Sequence, residues 1–414
     1  MADAVTYWNG VLLDVIRQVG GSPCPIARGG AMMHGAIYDA VNSIIPTHKP
    51  YLGTVPANPI ASIEAAVAYA AHDTLAAAFP NSTVDLASRL TTAVAGLDPL
   101  AKAAGKAVGE AAAQMMINAR SNDGADDNTP YAGPPNPQPG DWRPTGSGDG
   151  LSPNWPMVTP FCIESGSQFR PPRPGGFLSK AQMLRSEEYA AQVNEVQTLG
   201  RFDAEATGNR TPEQTTIAFF WANDVDGTYK PPGHLFDITR IVSEQRGLDV
   251  VENARLFALV GLVMGDAAIV AWDAKYSTDL DLWRPESAIT MGSMDGNGAT
   301  IEDPAWLPLS ITPDGVHFSP PFPAYVSGHA TFGAAHAAIM RQYFGTDNIM
   351  FTATTEDPSA KDVERTFNSF TAAALENARS RIYLGVHFQW DGDHGFLSGT
   401  ALGEYVYGNC LTAL

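Results

Sequence analysis

Cysteine is scarce in this chain: 414 residues contain Cys24, Cys162 and Cys410 and no others. They lie far apart and make no metal-type pair. That excludes a zinc knuckle and a disulfide-stapled scaffold. At most one disulfide can form, and buried or half-buried thiols are the expectation. Basic residues are also few. Lys and Arg total 25 against 44 Asp and Glu, a formal charge of −19. This argues against a nucleic-acid partner or an anionic membrane surface, and it makes any local cluster of cations informative. The opening residues Met1-Ala2-Asp3-Ala4 show no basic segment followed by an apolar run, and the compartment is left open. Long apolar runs are missing too. The most apolar segment, Leu256 to Trp272, is broken by Asp266 and is short for a membrane span, so a buried core helix is expected. Alternation of strand type is rare.

Alanine and helical apolar spacing are abundant, so the chain is read as all-α. Helices are predicted at Ala4–Val19, Ala27–Ser43, Pro59–Phe79, Val84–Ala95, Pro99–Asn118, Lys180–Leu199, His234–Gln245 and Asp249–Tyr276. Another begins at Thr211-Pro212-Glu213-Gln214, with a threonine cap, proline first and an acid in the first turn. His34 and Asp39 fall on a helix face expected to be buried, and are read as satisfied core polar groups. The length allows two packed halves, 1–205 and 206–414. The first includes a Pro/Gly-rich loop at 121–180 with Trp142 and Trp155. Its aromatics predict an ordered wrap over the surface, covering a channel mouth or a subunit contact.

Three clusters in the last third carry chemistry. One is Lys275 with Arg284-Pro285. The second is Ser327-Gly328-His329, within Phe322-Pro323-Ala324-Tyr325-Val326. The third is Ser380-Arg381 with His387 and Asp391. Four residues make about one helical turn, so a helical segment would set Asp391 beside His387 and fix one ring nitrogen. A tetrahedral oxyanion needs donors on every oxygen. Lys275, Arg284 and Arg381 can give charge-assisted bonds, and Ser327 and the Gly328 N–H can fill other sites. A helix beginning at Gly328 would aim its N-terminus at the anion. Dense positive charge should keep His387 neutral, and His329 could move a proton. Gly392, Gly395, Gly399 and Gly403 predict a second helix packed very close. His317, His336 and His394 are assigned to structure or surface.

These clusters resemble the three-part signature of the vanadium-dependent haloperoxidases and the related type 2 phosphatidic acid phosphatases. Ser380, Arg381, His387 and Asp391 match its third part in full. Val326 stands where the second part has proline. Eight residues separate Lys275 from Arg284, where six is usual. Phe322-Pro323-Ala324-Tyr325, Thr331-Phe332-Gly333 and Trp272 resemble the chloroperoxidase branch. The resemblance implies an all-α fold with two four-helix bundles and a vanadate cofactor bound axially by His387. Lys275, Arg284, Ser327, Gly328 and Arg381 would hold its oxygens, Asp391 would orient His387, and His329 would be the acid–base group. Asp224, with Asp226 as the alternative, would support His329, and Trp272 and Phe322 would line the halide side. The implied partners are hydrogen peroxide, halide (bromide and chloride) and a small organic substrate, with Lys275 polarising the peroxide and a homodimer as the family's assembly. The alternative is an acid phosphatase with His387 as nucleophile.

Overall fold

The computed structural model describes residues 3–146 and 148–414. Helix α1 (Ala4–Val19) starts where Asp3 accepts from the Thr6 N–H and stops at Gly20, whose φ of 59° an L side chain would resist. Helix α2 (Pro23–Ile44) begins ahead of the predicted Ala27, because Ser22 caps it and Pro23 fits its first turn. Next come α3 (Ile63–Ala78), α4 (Leu86–Ala93) and α5 (Pro99–Arg120). The predicted helix over 180–199 is two helices, α6 (Lys180–Leu184) and α7 (Glu187–Leu199). They separate at Ser186, whose hydroxyl accepts from the Tyr189 N–H and caps the second. Helix α8 (Pro212–Ala222) opens on a capping box between Thr211 and Gln214. The chain continues through α9 (Lys230–Arg246), α10 (Val250–Tyr276), α11 (Pro285–Thr290), α12 (Gly328–Phe344), α13 (Phe370–Tyr383) and α14 (Gln389–Asn409).

The described residues are all-α apart from one hairpin, in which β1 (Phe351–Thr354) and β2 (Glu364–Phe367) pair antiparallel with Phe351 opposite Phe367. Strands of four residues are too short for alternation to register in the sequence. The hairpin holds the turn that begins at Asn223. Beyond β1, Thr355 Oγ1 accepts from Asn223 Nδ2 at 3.1 Å and Asp357 Oδ2 accepts from the Asn223 N–H at 3.2 Å.

Helix α10 is the axis of the packing. It lies against α2, α3 and α5 group with it on one side, and α12, α13 and α14 group with it on the other. Its apolar window is long enough to cross a membrane, yet 94% of that window is buried in protein. Asp266 interrupts the run for a reason: its two oxygens accept from the Phe161 and Cys162 N–H groups at 2.7 and 2.8 Å. Those residues belong to the 121–180 wrap. The wrap buries Trp142 and Trp155, and its Leu151 carbonyl accepts from Trp272 Nε1 at 3.0 Å. The expectation of unpaired thiols fails here. Cys162 in the wrap is joined to Cys410 by a disulfide, across 248 positions of sequence, and Cys24 alone is free. The wrap brings the two thiols together, a proximity that spacing alone cannot reveal.

His34 and Asp39 are buried in α2. Asp39 accepts from the Tyr51 and Leu52 N–H groups at 2.7 and 2.8 Å, and His34 Nε2 faces Asn9 Oδ1 at 3.2 Å. Helix α14 lies on α12 through Gly395, Gly399 and Gly403. A Cβ at Gly399 would overlap the Thr331 carbonyl, so the glycine stripe permits backbone-to-backbone approach.

Candidate active site

The segment from Arg381 to Asp391 is not one helix. Helix α13 ends at Tyr383, Gly385 turns the chain with φ 82°, and α14 starts at Gln389. His387 lies in the connection. Asp391 still reaches it, because Asp391 caps α14: its Oδ2 accepts from the Phe388 N–H and faces His387 Nδ1, both at 3.0 Å. The four-residue spacing therefore works through a helix cap and not through one helical face.

Arg284 Nη1 lies 3.1 Å from His387 Nε2. A guanidinium can only donate, so Nε2 is the bare nitrogen and Nδ1 carries the proton given to Asp391. Burial, then Arg284, Lys275 and Arg381, push the His387 pKa well below the ordinary histidine range. The imidazole is neutral, as charge density predicts, and its Nε2 lone pair accepts from Arg284 Nη1. Arg284 also donates through Nε to the Phe322 carbonyl and through Nη1 to the Val386 carbonyl, each at 2.7 Å. Among the described residues its Nη2 has no partner, nor do Arg381 Nε and Nη1, and all three atoms are buried. Buried, unpaired guanidinium nitrogens are expensive unless an anion meets them.

Ser327 is the N-cap of α12, and Gly328 is its first residue. Gly328, His329, Asp224, Arg381 and His387 line one cavity of about 70 Å³, together with Trp272, Phe322 and Leu151. The Trp272 and Phe322 rings pack 4.9 Å apart. Asp224 Oδ2 accepts from Arg381 Nη2 at 2.6 Å, and Oδ1 lies 3.9 Å from His329 Nε2. Burial alone would raise the Asp224 pKa, but Arg381 and His329 outweigh it and hold it below its ordinary value. Asp226 is turned away, paired with Lys230 and accepting from the Gly21 N–H. His329 Nε2 donates to the Ala222 carbonyl at 3.0 Å, which leaves Nδ1 bare. Burial, reinforced by Arg381, pushes its pKa down to about 4.

Lys275 behaves differently from the other cations. Its ammonium is fully buried and donates to the carbonyls of Pro323 (2.7 Å), Ala324 (3.2 Å) and Val326 (2.5 Å). Those bonds engage all three of its N–H groups. Lys275 thus secures the segment leading into Ser327. Sequence reasoning missed Lys230, which also lines the cavity. The only signal for it was the rarity of basic residues. His336 bonds Thr239, His394 faces Tyr325 and His317 faces Ser310, all outside the cavity.

Among the described residues no group of three His, Cys, Asp or Glu could hold a bare metal ion. The arrangement is instead an anion cradle with one open imidazole nitrogen, built on a helical bundle. Residues 255–413 match the VCPO second helical-bundle domain. The vanadium chloroperoxidase of Curvularia inaequalis is 32% identical over 267 residues, covering 52% of this chain and 43% of that protein. The alignment therefore spans less than half of that relative's length. The whole chain shares its fold with a bacterial vanadium-dependent iodoperoxidase, at TM-score 0.79 and 24% identity over 99% of this chain and 96% of the other. A holo-type bacterial vanadium-dependent chloroperoxidase gives TM-score 0.73 and 21% identity over 95% and 93%. These relatives are haloperoxidases, so the acid phosphatase alternative is not favoured.

Proposed function

We propose that this protein is a vanadium-dependent haloperoxidase. It would combine halide, hydrogen peroxide and a proton into hypohalous acid and water, and the hypohalous acid would halogenate organic compounds. One observation carries the reading: Arg284 Nη1 meets the unprotonated Nε2 of His387, and among the described residues buried guanidinium nitrogens of both Arg284 and Arg381 have no partner. Vanadate fits that donor set. His387 Nε2 would bind it, and Arg284, Arg381, the Ser327 hydroxyl and the Gly328 N–H would hold its oxygens. Bound there, vanadate supplies Lewis acidity that activates peroxide toward halide without changing its own oxidation state.

The chain's own groups do the rest. His329 is neutral near pH 7, so its bare Nδ1 can take a proton from incoming peroxide, and Asp224 faces the charge that results. Lys275 adds a buried charge and fixes the approach to Ser327. Trp272 and Phe322 give the halide a weakly hydrated wall.

The test is dye bromination with peroxide and bromide, by metal-stripped protein before and after orthovanadate. Activity that appears only with vanadate and falls when phosphate competes is expected. Hydrolysis of a phosphate ester without halogenation would overturn the reading. Chloride and bromide are both proposed as substrates, and turnover of iodide alone would overturn that.

A further inference from the structure

Lys230 is a cation that the cradle described above does not use. It is 4% exposed and lines the same cavity as Arg381 and His387. Gly21 and Leu151, also in that lining, are exposed, whereas Arg381 and His387 are buried. The Gly21 side is therefore the mouth. Lys230 sits at that side, since Asp226 Oδ1 accepts from both the Gly21 N–H (3.0 Å) and Lys230 Nζ (2.7 Å). Its ammonium also donates to the Asp224 carbonyl at 2.7 Å. An ammonium has three N–H donors, and among the described residues these two partners engage two of them. Lys230 has φ 56° and precedes Pro231, a combination that L residues resist. The backbone turn thus directs a lysine into the cavity at a position where glycine or asparagine would sit with less strain.

We propose that Lys230 forms an outer anion site, which takes a halide ion at the cavity mouth before it moves inward. The physical need is clear. The chain carries a formal charge of −19, so a halide approaches against a repulsive field, and a fixed cation at the entrance offsets it locally. Asp226 tempers that cation, but its side chain is 76% exposed and well screened by water. Asp224 and Asp226 thus aim the ammonium, and its third N–H meets the ion. The inference rests on the haloperoxidase reading for its substrate.

Two measurements test it. Crystals of the full chain soaked in bromide should give an anomalous peak beside Lys230 Nζ, lost in Lys230→Gln. No peak in the wild type, or a peak retained in the variant, overturns the proposal. This measurement needs no turnover, so it stands apart from any failure of the wild type to halogenate. In the vanadate-loaded protein, Lys230→Gln should raise the bromide KM about tenfold with orthovanadate affinity unchanged, and Lys230→Arg should restore most of it. Asp226→Asn should lower the bromide KM, because the ammonium is less neutralised. A parallel loss of orthovanadate affinity in Lys230→Gln would make Lys230 a mere support for Asp224 and overturn the halide role. A rise in KM on Asp226→Asn would do the same.

Discussion

Arg284 Nη1 donates to His387 Nε2 across 3.1 Å while Asp391 holds Nδ1 at 3.0 Å. The imidazole is therefore clamped between a donor and an acceptor. It can hold only one tautomer, the one whose lone pair faces the cationic cavity.

That clamp separates the two site histidines. His387→Ala should abolish orthovanadate binding, because it removes the ring nitrogen that Arg284 and Asp391 orient toward the anion. His329→Ala should keep binding and lose halide oxidation. Calorimetric titration with orthovanadate, beside dye bromination, reads both. Retained binding in His387→Ala with loss in His329→Ala would reverse the assignment.

Lys275→Met keeps the length of the side chain but leaves three carbonyls without donors. We expect unfolding stability to fall by about 2 kcal/mol or more, seen as a lower urea midpoint. The bulk of the effect belongs to the segment before Ser327, so vanadate affinity should fall as well. A variant as stable as the wild type would mean the three bonds contribute nothing net.

Gly399 and Gly392 make a contrast on one helix. A Cβ at Gly392 would stand 3.4 Å from the Ala378 carbonyl, which is ordinary contact. One at Gly399 would overlap the Thr331 backbone. Gly399→Ala should therefore destabilise by about 1–3 kcal/mol and Gly392→Ala by less than about 1 kcal/mol. Thermal melts of the two variants compare them, and equal effects would argue against close packing of α12 and α14.

Acid should weaken the fold partly through His336. Burial pushes its pKa from an ordinary 6.5 down to about 3. Between those values the unfolded chain holds a proton that the folded chain lacks, so stability is lost as pH falls through that window. His336→Gln should remove up to about 1.4 kcal/mol per pH unit of that slope. Denaturant unfolding at several pH values from 6.5 to 4 measures it, and an unchanged slope would show that His336 does not titrate in this way.

The sequence by itself determined the helices and the residue types of the site. Periodic apolar positions and local caps such as Asp3, Thr211 and Asp249 act within a few residues, so α1, α8 and α10 were legible. Arg381, His387 and Asp391 were legible through spacing, and the Gly395–Gly403 stripe announced a close partner. Tertiary structure decided whatever depends on distant segments meeting. It joined Cys162 to Cys410, engaged the Lys275 ammonium with the Pro323–Val326 carbonyls, and chose Asp224 over Asp226 by turning one toward Arg381 and the other toward Lys230. It also set Lys230 in the cavity, through a turn that a short hairpin holds in place. Spacing encodes the neighbours along a helix. It does not encode which donor is consumed by a carbonyl fifty residues away, because that is fixed only when the chain closes around the site.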